Sequence, residues 1–477
     1  MTAAMLAGQQ HEEAKRPNIV YVFADQWRAS SIGYSGDKVI KTPAIDQLAN
    51  DSLNFVNTVA VLPVCTPYRA ALMTGRYPTT TGMFLNDLYL PSSELCIAEI
   101  FAEAGYDTAY IGKWHLDGHG RHAFIPPDRR QGWEYWKAAE CEHYNQHAHY
   151  YTGDSDEKLF WEGFDVFAQT ADAQNYILER HQSETPFILM LSFAPPHPAS
   201  PKAPEKYREM YPLEDIVVPL NVPEELRQKA KEELQNYYAL GTIIDVAIGD
   251  LLKTIHEVDI ADDTIFVFTS DHGGMIYSHG TSRDAKQMAW NESSHVPFLL
   301  RYPAAHGEGG RVVETPLNTP DILPTLLGLA GIEKPDTIEG EDLSQVITEN
   351  TEIDRSVLFM SVVPFNFEGR YAYRAIRTTR YSYVRYINGS SSLFDNLEDP
   401  HQLNDLVADE ASAELLVELE GKLQAHLVRI GDDFRAPEAY IEQWGYIVDE
   451  KNAIPYLGRF KVQSPKPFEH EVWGNYP

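Results

Sequence analysis

The sequence predicts an α/β fold: a large, mostly parallel central sheet flanked by helices, joined to a small C-terminal antiparallel sheet with one helix. Three observations predict it. Short apolar runs rich in β-branched residues recur along the chain and end at polar residues. Amphipathic helical stretches separate these runs, and alternation of this kind favours parallel strands covered on both faces. From about residue 371 the pattern changes to short amphipathic strands.

The elements follow in order. Residues 18–24, NIVYVFA, read as a buried strand that ends at Asp25. TPAIDQLAN (42–50) opens with Thr then Pro, a favoured helix start. DTAYIGKW (107–114) is a second strand and delivers Lys113 and His115. PFILMLSFA (186–194) is a third, followed by Pro195, Pro196 and His197. Residues 223–258 carry a long amphipathic helix through Leu234, Tyr238, Ile244 and Leu251. TIFVFTS (264–270) is a strand followed by Asp271 and His272, and VPFLLRYP (296–303) is another. Residues 320–330 open with Pro-Asp and continue as a helix. AYRAIRTTRYSYVRYI (372–387) reads as two strands around a Thr-Thr-Arg turn, LFDNLEDPHQLNDL (393–406) as a strand end and turn, and 411–428 as one amphipathic helix. Polar residues stand just after four separate strands, and open α/β sheets bind ligands at that edge.

The bulk composition narrows the function. An apolar content of 43% supports a sizeable core. A net charge of −31 argues against sequence-independent binding to nucleic acid or to an anionic membrane, since both need a positive face. An anionic substrate would need a local basic pocket. Three cysteines, Cys65, Cys96 and Cys141, cannot form a fully paired framework. No apolar run is long enough for a membrane span. The first 16 residues lack a basic start and a proper apolar stretch, so they are not a complete signal peptide.

The sharpest local signal is Cys65-Thr66-Pro67-Tyr68-Arg69, continuing AALMTGRYP. Pro67 suits the first turn of a helix, which puts Cys65 at a helix N-terminus where backbone N–H groups favour an anion. Asp25 and Asp271 are distant in sequence yet fall at one sheet edge; hard oxygen ligands of this kind suit Ca²⁺ or Mg²⁺. Lys113, His115, His197, His279 and Lys286 supply groups able to hold a tetrahedral anion.

Taken together these segments resemble the type I, formylglycine-dependent sulfatases of the alkaline-phosphatase-like superfamily. CTPYRAALMTGR is similar to the family signature Cys-x-Pro-x-Arg with its Thr-Gly-Arg continuation. The resemblance implies that Cys65 is oxidised to formylglycine by a maturation enzyme. A thiol can attack a sulfate ester but does not readily release the covalent product. A hydrated aldehyde attacks with one hydroxyl and expels sulfate through the other. FADQWR and SDHGG (270–274) resemble the two metal motifs, which implies Asp25, Gln26, Asp271, His272 and the modified Cys65 as ligands of one divalent cation, Ca²⁺ first, with Mg²⁺ or Mn²⁺ open. Gln26 stands where many sulfatases carry a second Asp, as in phosphonate monoester hydrolases. The resemblance further implies Lys113 and Lys286 on sulfate oxygens, His115 orienting the nucleophile, His197 as general acid and Arg69 supporting the nucleophile. His295 replaces the family's usual Arg at a structural position.

The implied organisation is an N-terminal segment 1–16, disordered or trimmed, a catalytic domain over 17–370, and a C-terminal subdomain over 371–477. Residues 114–151 are rich in His, Tyr, Trp and Arg. They suit a pocket wall that stacks on sugars and bonds to anionic groups; His143, His147 and His149 also raise the question of a second metal site. By resemblance Asn86 and Asp87 fall where carbohydrate sulfatases place substrate contacts, and His143 and His279 join them as candidates. The expected function is release of sulfate from a sulfated saccharide, in a periplasmic or secreted setting, with a cytoplasmic one as the alternative. Two other readings stand beside it: a phosphonate monoester or phosphodiester hydrolase on the same scaffold, and a silent sulfoglycan-binding homologue in which Cys65 is never oxidised.

Overall fold

The computed structural model describes residues 16–198, 202–366 and 370–455. The expectations for 1–15 and for the tail beyond 455 lie outside the described residues. The main sheet has ten strands. Its centre is five neighbouring parallel strands: Thr264–Ser270, Asn18–Ala24, Phe187–Ser192, Asp107–Lys113 and Tyr135–Ala139. Both margins turn antiparallel. His149–Thr152 and Leu159–Phe160 extend one side, and Phe298–Arg301 runs antiparallel to Thr264–Ser270 on the other. Leu53–Phe55 and Arg311–Val313 complete that side.

The strand Asn18–Ala24 shows why the segment must be a central strand. Ile19, Tyr21 and Phe23 point into one apolar cluster, and Val20, Val22 and Ala24 into a second on the opposite face. Side chains alternate across a strand, so a run that is apolar at every position needs cover on both faces. Helices Cys65–Thr74, Thr319–Leu329 and Ile97–Glu103 cover one face. Arg227–Glu257, Asp165–Arg180 and Pro43–Asn50 cover the other. Each fully buried aliphatic or aromatic side chain stabilises this packing by roughly 1.5–3 kcal/mol.

The small sheet orders its strands Val357–Ser361, Tyr373–Arg377, Tyr381–Tyr386 and Ser391–Asp395, all antiparallel. The Thr378-Thr379-Arg380 turn forms where the sequence placed it. Helix Ala413–Ile430 buries Leu419, Leu423 and Leu427 beneath the sheet. A short helix, Pro437–Trp444, had no clear sequence signal; its Tyr440 hydroxyl bonds Asp432, which also pairs with the buried guanidinium of Arg374.

One buried carboxyl makes the fold sensitive to pH. Asp165 opens the helix Asp165–Arg180 and accepts from Val166 N at 2.8 Å and Asn145 Nδ2 at 3.1 Å. Burial pushes its carboxyl up to about 7, against the two hydrogen bonds. The folded chain therefore keeps a proton that the unfolded chain gives up near pH 4. Between those values the unfolded state binds fewer protons, so stability falls as pH rises. A shift of this size corresponds to about 4 kcal/mol. Asp165→Asn keeps the acceptor and removes the charge. It is expected to unfold at a higher temperature than the parent at pH 8 and to lose that advantage by pH 4, as thermal melts across the range will show.

Candidate active site

Four adjacent parallel strands bring their C-terminal ends to one edge, and each supplies a polar group there. Asn18–Ala24 and Thr264–Ser270 are paired so that Ala24 sits opposite Ser270. The next residues, Asp25 and Asp271, are thereby neighbours. Asp107–Lys113 ends on Lys113, and Phe187–Ser192 ends on Ser192. Gln26 and His115 both have φ in the left-handed region, at 65° and 61°, which turns the chain sharply as it leaves the sheet. At Gly273 a Cβ would lie 2.0 Å from the Glu292 carbonyl oxygen, so only glycine allows this approach behind His272.

Cys65 is the first residue of the helix Cys65–Thr74 and is 1% exposed. Its Sγ lies 3.3 Å from His272 Nε2, 3.7 Å from Asp25 Oδ1, 3.7 Å from Lys113 Nζ and 3.6 Å from Lys286 Nζ. One turn along the same helix, Arg69 reaches back beneath the cluster. It donates to Asp271 Oδ2 at 3.1 Å and Asp25 Oδ2 at 3.4 Å, and its other nitrogen bonds the Lys113 carbonyl and Ser192 Oγ. Lys113 Nζ meets Asp25 Oδ2 at 2.5 Å. Lys286 Nζ contacts Gln26 Oε1 and His197 Nε2, each at 3.1 Å.

The donor set fits a divalent cation. Donor atoms of Asp25, Cys65, Asp271 and His272 all lie within 4.8 Å of one another, and all four residues are buried. His272 Nδ1 donates to the Gly273 carbonyl at 2.7 Å, which leaves the Nε2 lone pair facing the cluster. Burial and the Asp25 charge push the Asp271 carboxyl up, a sign of two acids crowded together. Burial also raises the Asp25 carboxyl, but Lys113, His197 and Arg69 outweigh it and hold it well below the ordinary range. Burial and the Asp25 charge raise the Cys65 thiol, and Lys113, Lys286 and His272 reverse this and draw it well below its usual value. Hard carboxylate oxygens so arranged suit Ca²⁺, Mg²⁺ or Mn²⁺.

The remaining sequence candidates separate into those at the cluster and those behind it. His143 is at the cluster: its Nε2 is 3.5 Å from Lys113 Nζ, and its ring stacks on His197 with centroids 4.2 Å apart. Burial, then Lys286 and His143, hold the His197 imidazole well below its usual value. His115 is held the other way. Burial lowers it, but Cys141 and Asp87 raise it well above the ordinary histidine range. Its Nε2 meets Asp87 Oδ1 at 2.5 Å, and Arg121 holds the other Asp87 oxygen at 2.9 Å.

Two candidates stand outside the ring of groups around Cys65. Asn86, read as a substrate contact, turns its Oδ1 to Thr66 N at 3.0 Å and so caps the helix that carries Cys65. His279 makes its contacts elsewhere: it stacks on Trp290 at 4.3 Å and meets Asn221 at 3.1 Å and Glu292 at 3.8 Å. Its neighbour in sequence, Lys286, reaches the cluster instead. His295 bonds the Val56 carbonyl at 2.9 Å, a structural position as expected. Sequence reasoning missed Ser192 and Cys141. Ser192 carried the signal already used for Asp25 and Lys113, a polar residue at a strand end. Cys141 carried none.

A parallel sheet that gathers acids, bases and a helix-borne cysteine at one edge is the architecture of the alkaline-phosphatase-like hydrolases. Comparison with known proteins makes the class specific. The Sulfatase family model matches residues 17–332, and a second, described as N-sulphoglucosamine sulphohydrolase, C-terminal, matches 281–429. An ulvan-active sulfatase of Formosa agariphila is 48% identical over 468 residues, covering 96% of this chain and 91% of the relative. An endo-4-O-sulfatase of Bacteroides thetaiotaomicron is 30% identical, covering 89% of this chain and 94% of the relative. The solved structure of yidJ from Bacteroides fragilis superposes with a TM-score of 0.80 at 28% identity, covering 91% of this chain and 99% of the other. The chain belongs to the sulfatase family and is a sulfuric ester hydrolase.

Proposed function

We propose that this sulfatase releases sulfate from a sulfated saccharide, with Cys65 oxidised to formylglycine as nucleophile and one divalent cation, Ca²⁺ first, beside it. The observation that carries the proposal is the ring around residue 65: two buried carboxylates, one imidazole and two ammonium groups, with four of these partners within 3.7 Å of Sγ. In the mature residue an oxygen on Cβ takes the place of Sγ. Formylglycine supplies a hydrated aldehyde able to release its own product, and the cation supplies positive charge beside the reacting sulfate.

The chain's own residues do the rest. Asp25, Gln26, Asp271 and His272 hold the cation; Gln26 Oε1 has a second lone pair beyond the one that Lys286 uses. Arg69 fixes both carboxylates from below. Lys113 and Lys286 flank residue 65 from two sides and take the sulfate oxygens. His197, beside Lys286, is placed to pass a proton to the leaving alcohol. His115, fixed by Asp87, orients the nucleophile. His143 forms the pocket wall, and Asn86 and Asp87 position the helix start and His115.

Cys65 is 1% exposed, so the maturation enzyme must act before the chain is folded. No helix among the described residues is long and apolar enough to cross a membrane. A polysaccharide substrate is met outside the cytoplasm, and a periplasmic or secreted location is proposed on that ground.

A panel of defined sulfated saccharides, beginning with fragments of ulvan and read by sulfate release, tests the substrate. Gln26 after Asp25, where many sulfatases carry a second Asp, gives one specific ground for a second reading, phosphonate monoester or phosphodiester hydrolysis. Matched sulfate and phosphodiester substrates with one leaving group decide between them, and faster phosphodiester turnover would overturn the sulfatase proposal. Exhaustive chelation is expected to remove activity at least about 100-fold, with recovery on adding Ca²⁺. Unchanged turnover after chelation would exclude the cation.

A further inference from the structure

We propose that His122, Glu142 and His149 form a second metal site, separate from the cluster at Cys65, which takes a transition-metal dication of the Zn²⁺ class. Their donor atoms lie within 4.8 Å of one another. The site joins two loops. One follows the strand Asp107–Lys113; the other connects Tyr135–Ala139 to His149–Thr152.

Glu142 and His149 are held in place by their surroundings, and His122 stands beside them at the surface. Glu142 Oε1 accepts from the backbone N–H of His143 and of Tyr144, both at 2.8 Å, which fixes the carboxylate and turns Oε2 to His149 Nδ1. His149 is 3% exposed, and its Nε2 is buried with no partner. The His122 carbonyl accepts the Tyr151 hydroxyl at 2.8 Å, and the His122 and His149 rings lie 5.2 Å apart.

Two imidazoles and one carboxylate are a borderline set that favours Zn²⁺ over Ca²⁺, and three protein ligands leave a fourth position for water. The histidines the sequence suggested thus divide. His143 belongs to the active site, His147 stacks on Phe160 at 4.8 Å, and only His149 joins the new site. Its partners come from positions that spacing did not reveal. The site would brace the pocket wall, since residue 142 precedes His143, and residue 121, beside His122, holds Asp87.

The competing explanation is a plain Glu142–His149 ion pair with His122 as a bystander. Protein stripped of metals and then saturated with Ca²⁺, to fill the first cluster, is titrated with Zn²⁺ by calorimetry and with Co²⁺ by visible absorption. One further ion per chain is expected, with the bands of four-coordinate Co²⁺. His122→Ala, at an exposed position expected to tolerate it, should weaken binding at least about 100-fold and remove the bands. Glu142→Gln should do the same. The proposal is overturned if no Zn²⁺ binds tightly to the Ca²⁺-saturated protein, or if His122→Ala binds it as the parent does.

Discussion

Cys65→Ala is expected to lose at least about 10⁴-fold in sulfate release while melting within a few degrees of the parent. The loss follows from chemistry rather than shape. Alanine cannot be converted to an aldehyde, so no nucleophile remains between Lys113 and Lys286. The fold survives because the residue's backbone, not its side chain, begins the helix Cys65–Thr74, and Thr66 N keeps its acceptor on Asn86. Removing Sγ also takes an acidic group away from the crowded Asp25 carboxylate, which offsets the small cavity. Serine at the same position keeps an oxygen but can form no diol; a single turnover that stalls as a covalent adduct is its expected signature. Substantial steady-state release by the alanine variant would end the case for residue 65 as nucleophile.

Arg69→Ala is expected to cost both activity and stability. The guanidinium is fully buried and bonds Asp25, Asp271, Ser192 and the Lys113 carbonyl. Its removal leaves two buried carboxylates with less compensation and also opens a cavity. Breaking a buried pair by deleting one partner costs about 3–5 kcal/mol. Lysine does not restore it, because one ammonium cannot reproduce a planar fork that reaches four partners. Added divalent cation should recover part of the stability, since it neutralises the same two acids. Chemical denaturation with and without Ca²⁺ measures both effects, and a variant as stable as the parent in Ca²⁺-free buffer would contradict this account of Arg69.

The site was legible where chemistry coincided with the end of a regular element. Asp25, Lys113, Asp271 and His272 each follow or end an apolar run, and Cys65 begins a helix marked by Pro67. The histidines were harder, because a lone imidazole has no period. Spacing did not show that His115 would face Asp87 or that His279 would stack on Trp290. Strand direction was also hidden: VPFLLRYP reads as a buried strand, yet Phe298–Arg301 runs antiparallel to its neighbour, and periodicity is the same either way. Leu53–Phe55 and Arg311–Val313 are too short to give any period. The outer strand of the small sheet, Val357–Ser361, precedes the point where the sequence texture changes, so it was not grouped with its partners.

The strand pairing that places Asp271 beside Asp25 has a consequence for how the molecule is made. As the chain emerges from its N-terminus, Asp25, Arg69 and Lys113 exist long before Asp271 and Lys286 do. The strand Thr264–Ser270 must insert next to Asn18–Ala24 across the whole intervening sequence, and long-range parallel pairing of this kind is a late, slow event. Docking of that strand supplies the last buried acid and gives Phe298–Arg301 the edge on which it pairs. Catalytic competence and the final stage of folding therefore arrive together, and a partly assembled chain has no working site.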